Sequence, residues 1–192
     1  MKKQGFTAME VVVVMGIISV LFSFVLDTVN TLRDRGQAAR VIQDVESIKS
    51  ALQIRFSGLT RYPTEEGLEA AYAGSLVAGS ITVQDMVEVG MFEGALARPP
   101  QALLGDMEYF YDSDGSDKGV PYNPGSCGSY TENDHGVNVI VTNAITTHPA
   151  VVATLDKIVD NGDGLTCGKV RRATPLDNSL IYTISVVQTQ FP

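Results

Sequence analysis

Closely spaced carboxylates are the residues of this 192-residue chain best suited to chemistry. Asp112, Asp114 and Asp117 lie at alternate or near-alternate positions around Gly115, in the run Asp-Ser-Asp-Gly-Ser-Asp. Hard oxygen ligands beside a glycine that permits a sharp turn suit calcium, which makes calcium the candidate cofactor of this loop. Asp160-Asn161-Gly162-Asp163-Gly164 offers a second, smaller set. Neither matches an EF-hand, because in the first loop the glycine comes too early and no glutamate closes it. Polar turns use the same residue types, so a turn without metal is the competing reading of both. Cys127 and Cys167 are the only cysteines. One disulfide in an oxidising compartment is one reading of them, and two unpaired buried thiols are the other. A bridge would close a loop of about 40 residues and stabilise the chain by roughly 4 kcal/mol in the chain-entropy treatment.

None of these groups forms a catalytic constellation. His135 and His148 are the only histidines and have no metal-ligand spacing. The glycines of the 115–128 region lie among prolines and serines, not between a strand and a helix, so they make no phosphate loop. The expectation is that the chain is not an enzyme, and that its function comes from assembly and surface.

The charge that demands most explanation is Glu10, near the start of an apolar run at residues 6–26 behind Met1-Lys2-Lys3-Gln4-Gly5. About 21 residues rising about 1.5 Å each give about 31 Å, enough to cross a bilayer core of about 30 Å. A carboxylate deep in hydrocarbon costs roughly 2.5–3.5 kcal/mol and calls for a partner or a role. A cleaved secretory signal fits poorly, since the run is too long and no small-x-small site follows Leu26. A plain signal anchor, with Glu10 snorkelling to the near interface, accounts for the run but gives the carboxylate no task.

The order Lys-Lys-Gln-Gly, then Phe-Thr-Ala-Met-Glu, then Val-Val-Val-Val-Met-Gly-Ile-Ile-Ser-Val-Leu resembles the class III signal of type IV pilins and of the pseudopilins of type II secretion. The resemblance implies that a prepilin peptidase cuts after Gly5 and methylates the new amino terminus at Phe6. It implies also that Glu10 neutralises the Phe6 amine of a neighbouring subunit. Physical chemistry agrees, because a buried amine and a buried carboxylate are each costly alone and tolerable as a pair, and a pair formed at one axial offset sets register. The segment Tyr62-Pro63-Thr64-Glu65-Glu66-Gly67-Leu68-Glu69-Ala70 is similar to the one that follows the long helix in the major pseudopilin. Thr64 as the cap of a short helix explains the same residues. Major pseudopilins also bind calcium in a loop after the sheet begins. The chain departs from the family at Asp27, where many relatives carry a proline.

The elements follow from periodicity. Ala38, Val41, Val45, Ile48, Leu52 and Phe56 form one apolar stripe at helical spacing, opposite Arg40, Asp44, Lys49 and Arg55. The helix therefore continues beyond the apolar run through residues 27–57, passing Gly36 and stopping at Gly58. Residues 81–89 read as either a strand or a short helix capped by Thr82. Strands are expected at residues 107–111, 137–141 and 180–188, and a helix with Pro149 in its first turn at residues 149–159. Lys169, Arg171 and Arg172 are the only compact basic cluster, expected to be a solvated strand end. The fold class is α+β and pilin-like, with a long N-terminal helix packed on an antiparallel β-sheet. Its organisation is a leader at residues 1–5, a transmembrane or filament-core helix at 6–26, its amphipathic continuation at 27–57 and a globular region at 58–192.

A net charge of −8 disfavours nonspecific binding to nucleic acid, and none is expected as a partner. Lys2 and Lys3 hold the amino terminus in the cytoplasm, so a single pass through the inner membrane leaves the rest of the chain periplasmic or extracellular. The resemblance implies the remaining partners: further copies of the chain and other pilin or pseudopilin subunits, the prepilin peptidase, the inner-membrane assembly platform and its ATPase. It also implies a membrane location before assembly into a periplasmic pseudopilus or an extracellular pilus. A monomeric, membrane-anchored periplasmic binding module is the alternative from another class.

Overall fold

The computed structural model describes residues 7–57, 62–72, 75–76, 80–92, 107–113, 137–166, 168–172 and 178–185. Helix α1 (Ala8–Arg55) runs unbroken for 48 residues, about 72 Å at about 1.5 Å per residue. Thr7 caps it, its hydroxyl accepting from the Glu10 amide at 3.3 Å while the Glu10 carboxylate accepts from the Thr7 amide at 2.8 Å. This reciprocal capping box satisfies backbone donors that a helix start otherwise leaves open. The helix passes through Asp27 and Gly36 without interruption. An added methyl at Gly36 would meet nothing within 4 Å, so no intrachain packing requires glycine there.

The two halves of α1 differ in what surrounds them. Large apolar side chains from Val11 to Leu32 are exposed, whereas Ala38, Val41, Val45, Ile48, Ala51 and Leu52 are buried. The buried set is the stripe read from the sequence with Ala51 added, and Phe56 at its end is half-buried. Helix α2 (Glu65–Ala71) is capped by Thr64, whose hydroxyl accepts from the Gly67 amide at 3.1 Å. The ambiguous segment at 81–89 resolves as helix α3 (Val83–Glu88), because Thr82 and Asp85 form a second capping box. The chain just before it still pairs with the sheet edge, through a bridge from Thr82 to Phe110 and a Tyr111 amide bond to the Ile81 carbonyl at 2.9 Å.

Among the described residues, four strands form one antiparallel sheet: β1 (Tyr109–Asp112), β2 (Val137–Val141), β3 (Val170–Arg172) and β4 (Leu180–Ser185), in the order β1-β2-β4-β3. Helix α4 (Pro149–Val159) lies between β2 and β3 in the chain, with proline in its first turn as expected. Tyr111, Val139, Tyr182 and Val170 align across the sheet and join the core formed with α1 and α4. On the other face Phe110, Ile140 and Ile181 align as a small apolar cluster. Beside it runs a buried polar row, in which Asn138 donates to Asp112 at 2.9 Å and accepts from the Thr183 hydroxyl at 2.8 Å. The α+β expectation, a long helix on an antiparallel sheet, is borne out.

One expectation about the basic cluster is corrected. Arg171 is not solvated but 2% exposed, in the middle of strand β3 and not at a solvated strand end. Three residues with two arginines carry little strand propensity of their own. Pairing of Val170 with Tyr182 and of Arg171 with Ile181 makes this a strand. The predicted stop at Gly58 and residues 186–188 of the last predicted strand lie outside the described residues.

Candidate functional site

Among the described residues, the apolar half of α1 is the most unusual surface. Met15, Ile17, Val20, Leu21, Phe22 and Phe24 are all more than half exposed. Soluble surfaces rarely leave so much contiguous apolar area open, and such an area marks a membrane or protein contact. The helix is long and apolar enough to cross a membrane. Its hydroxyls are already satisfied: Ser19 donates to the Met15 carbonyl at 2.8 Å, Ser23 to Ser19 at 3.1 Å, Thr28 to Phe24 at 2.9 Å and Thr31 to Asp27 at 2.9 Å. None of them would bring an open donor into an apolar environment.

Glu10 sits at the start of this surface. Its Oε2 accepts both the Thr7 amide, at 2.8 Å, and the Thr7 hydroxyl, at 2.9 Å. Among the described residues nothing engages Oε1, which is open to a further donor. Sequence reading missed the capping box, although Thr7-Ala8-Met9-Glu10 has its Thr-x-x-Glu spacing. Gly5 and Phe6, the expected cleavage and methylation positions, lie outside the described residues.

Two tyrosines of β1 tie the distal half of α1 and the segment after it to the sheet. The Tyr109 hydroxyl donates to Asp44 Oδ2 at 3.0 Å, joining β1 to α1. Burial pushes the Asp44 carboxyl up from its ordinary range, against the opposing pull of this bond and of Arg40. The Tyr111 hydroxyl donates to the Pro63 carbonyl at 2.8 Å, so the Tyr-Pro-Thr segment is held by a buried side chain of the sheet. Burial, then the neighbouring charges of Glu65 and Asp112, pushes the Tyr111 hydroxyl up.

Of the first acidic loop, Asp112 is described and is buried against Asn138. Asp114, Asp117, Cys127 and Cys167 lie outside the described residues. The second loop gathers more than its sequence promised. Asp160 and Asp163 are joined by Asp156 from the last turn of α4, and carboxylate oxygens from the three lie within 4.8 Å of one another. Asp156 is 7% exposed and its Oδ1 has no hydrogen-bond partner, while Oδ2 accepts from the Gly164 amide at 3.3 Å. Burial pushes its carboxyl up; the Gly164 amide opposes this, and Asp163 and Asp160 add to the rise. The Val170 amide donates to Asp160 Oδ2 at 2.7 Å. Gly168, at a φ of +86°, closes over that carboxylate so tightly that a Cβ would stand 2.6 Å from Asp160 Cγ. Asp156 was legible only as a helix residue, yet an acid in the last turn of a helix opposes the macrodipole and was the available signal.

A helix exposed and apolar over its first half, and packed by its second half on a small antiparallel sheet, is a pilin-like architecture. Among curated proteins, the chain is similar to type II secretion system core protein G of Klebsiella michiganensis, with 35% identity over 69 residues, which is 35% of this chain and 49% of that protein. The protein of the same name from Pectobacterium carotovorum subsp. carotovorum is 34% identical over 70 residues, 36% of this chain and 45% of that protein. That of Klebsiella pneumoniae is 33% identical over 70 residues, 36% of this chain and 50% of that protein. The chain thus spans about half the length of the curated relatives it matches. No family model and no solved structure matches. These relatives bear out the pseudopilin resemblance drawn from the leader and from the Tyr-Pro-Thr segment.

Proposed function

We propose that the chain is a structural subunit of a type IV filament, of the pseudopilin kind found in type II secretion. The observation that carries this reading is the exposed apolar half of α1, continuous with a half whose apolar stripe is buried in the core. In the membrane the first half contacts lipid. In the filament the same surface contacts the helices of neighbouring subunits, so extraction exchanges one apolar environment for another. A prepilin peptidase removes residues 1–5 and methylates Phe6. The inner-membrane platform and its ATPase supply the work of extraction, with the globular region on the periplasmic side. Cys127 and Cys167 pair there, in an oxidising compartment.

Glu10 then has two tasks that use different oxygens. Oε2 closes the capping box with Thr7, and Oε1 receives the Phe6 amine of the adjacent subunit. The two tasks separate by substitution. Glu10→Gln keeps an acceptor for the capping box and removes the charge, whereas Glu10→Ala removes both. Both variants are expected to insert into the membrane normally and to yield at least about tenfold fewer filaments, as for loss of a charge partner worth about 1.4 kcal/mol or more. Normal filament yield from Glu10→Gln would overturn the pairing role and leave Glu10 as a cap alone.

A further inference from the structure

Between Phe6 and Leu32 the only charged residues are Glu10 and Asp27. The first has a task in the proposal above and the second has none. Asp27 is exposed directly behind the apolar run, and its helix neighbours at spacings of three and four, Ser23, Phe24, Asn30 and Thr31, carry no charge. Arg35 is placed in the same way. It is exposed, and its neighbours at those spacings are Thr31, Leu32, Ala38 and Ala39. Among the described residues, neither makes an ion pair within the chain. An exposed charge costs little beside water or a lipid headgroup, but one carried into a contact between apolar helices needs a partner there.

Glu10 and Arg35 lie on one face of α1. At about 3.6 residues per turn, Arg35 stands only about 20° short of seven full turns beyond Glu10. Between them Val14, Ile17, Leu21 and Phe24 continue that face at spacings of three and four, and all four are exposed. The row thus runs from a negative end to a positive end across an apolar middle. Asp27 ends a second row, following Val13 and Val20 at seven-residue spacing, and both valines are exposed. Arg33, by contrast, stands more than about 100° round the helix from either row.

We infer that Asp27 of each subunit pairs with Arg35 of the next copy of this chain, closing the outer end of the apolar contact that Glu10 closes at its inner end. This rests on the filament reading, which supplies the offset. Phe6 precedes Glu10 by about one turn, so pairing its amine with the next copy's Glu10 puts the two helices out of step by about 6 Å. At that offset Val13 of one copy is level with Ile17 of the next, Val20 with Phe24, and Asp27 with Thr31. Arg35 of the next copy lies about one turn further on. Long helical side chains lean back toward the helix N-terminus, which brings its guanidinium down to the Asp27 carboxylate. The signs cross between the two ends: the copy that supplies the positive amine supplies Asp27, and the copy that supplies Glu10 supplies Arg35. A slip of one further turn breaks the first pair and stretches the second, so both select the same register. The two rows are different faces of one helix. Each copy therefore carries both, and the contact repeats head to tail without closing, as a filament requires.

The test is charge reversal in the full chain, with filament yield as the readout. Asp27 and Arg35 are both exposed, so Asp27→Arg and Arg35→Asp leave the fold in place, which thermal unfolding in detergent micelles verifies. Each single reversal sets like charges against each other and is expected to lower filament yield at least about tenfold. The double variant restores opposite charges with their positions exchanged, and its yield is expected to return to within about threefold of the native one. Arg33→Asp changes the same charge off both rows and is expected to stay within about threefold of native. Native yield from either single reversal, no recovery in the double variant, or an equal loss from Arg33→Asp overturns the pair. Glu10→Gln, measured beside them, separates this inference from the reading it rests on. Few filaments from Glu10→Gln with native yield from Asp27→Arg overturns the pair and leaves the filament reading standing; a native chain that forms no filaments overturns both.

Discussion

Tyr109 and Asp44 are 65 positions apart in the chain and 3.0 Å apart in the fold. Their bond shows how single side chains position α1 on the sheet. Asp44 belongs to the polar side of the helical stripe, and its charge was legible from the sequence as one of an alternating set. The tyrosine that reaches it was not, because nothing local in β1 says which helix turn it will face. Burial raises the Asp44 pKa above its ordinary value. A carboxyl raised in this way contributes stability that is full below its unfolded pKa and is lost as pH rises through the folded one. The native chain is therefore expected to lose stability as pH rises through and above the ordinary carboxylate range, and Asp44→Asn to flatten that part of the profile. Tyr109→Phe removes the donor and leaves the carboxylate half-buried without it, a loss of roughly 1–3 kcal/mol at neutral pH. Denaturant midpoints of the three proteins across pH check both statements; a native profile identical to that of Asp44→Asn contradicts the first.

At the scale of elements, α1 is two materials in one helix. Ile48 is fully buried, so Ile48→Ala is expected to cost about 2–5 kcal/mol of folding stability. Leu21 is 59% exposed, and Leu21→Ala is expected to change the unfolding free energy by no more than about 0.5 kcal/mol while reducing filament yield. Equal effects of the two substitutions on unfolding would contradict the division of the helix. The periodicity of residues 38–52 made the packed half readable, since every third or fourth position carries the same message. Helix α4 was readable because Pro149 marks its first turn and the apolar positions follow. Strand β3 was not, because Val170-Arg171-Arg172 is a strand only in the company of β4. The acidic cluster was readable in part for a related reason. Asp160 and Asp163 share a loop with glycines, but Asp156 joins them only once the helix end and its turn are built in three dimensions.

At the scale of the whole molecule, the exposed half of α1 and the folded remainder serve different environments. The remainder has a core formed from α1, α4 and one face of the sheet, and it keeps its polar groups paired across strands at Asp112, Asn138 and Thr183. The exposed half finds no such closure among the described residues, and in the proposed reading lipid or other subunits complete it. Helix α1 passes Asp27 unbroken, without the interruption a proline would bring. The relatives named type II secretion system core protein G share the resemblance over about a third of this chain. The central claim, that the chain is a processed filament subunit, turns on its amino terminus. The intact mass and terminal fragment spectrum of the protein isolated from its native membrane test this most directly. The account predicts a chain that begins at Phe6 and carries one methyl group on its amine; a chain that retains residues 1–5 contradicts it and favours the monomeric membrane-anchored module.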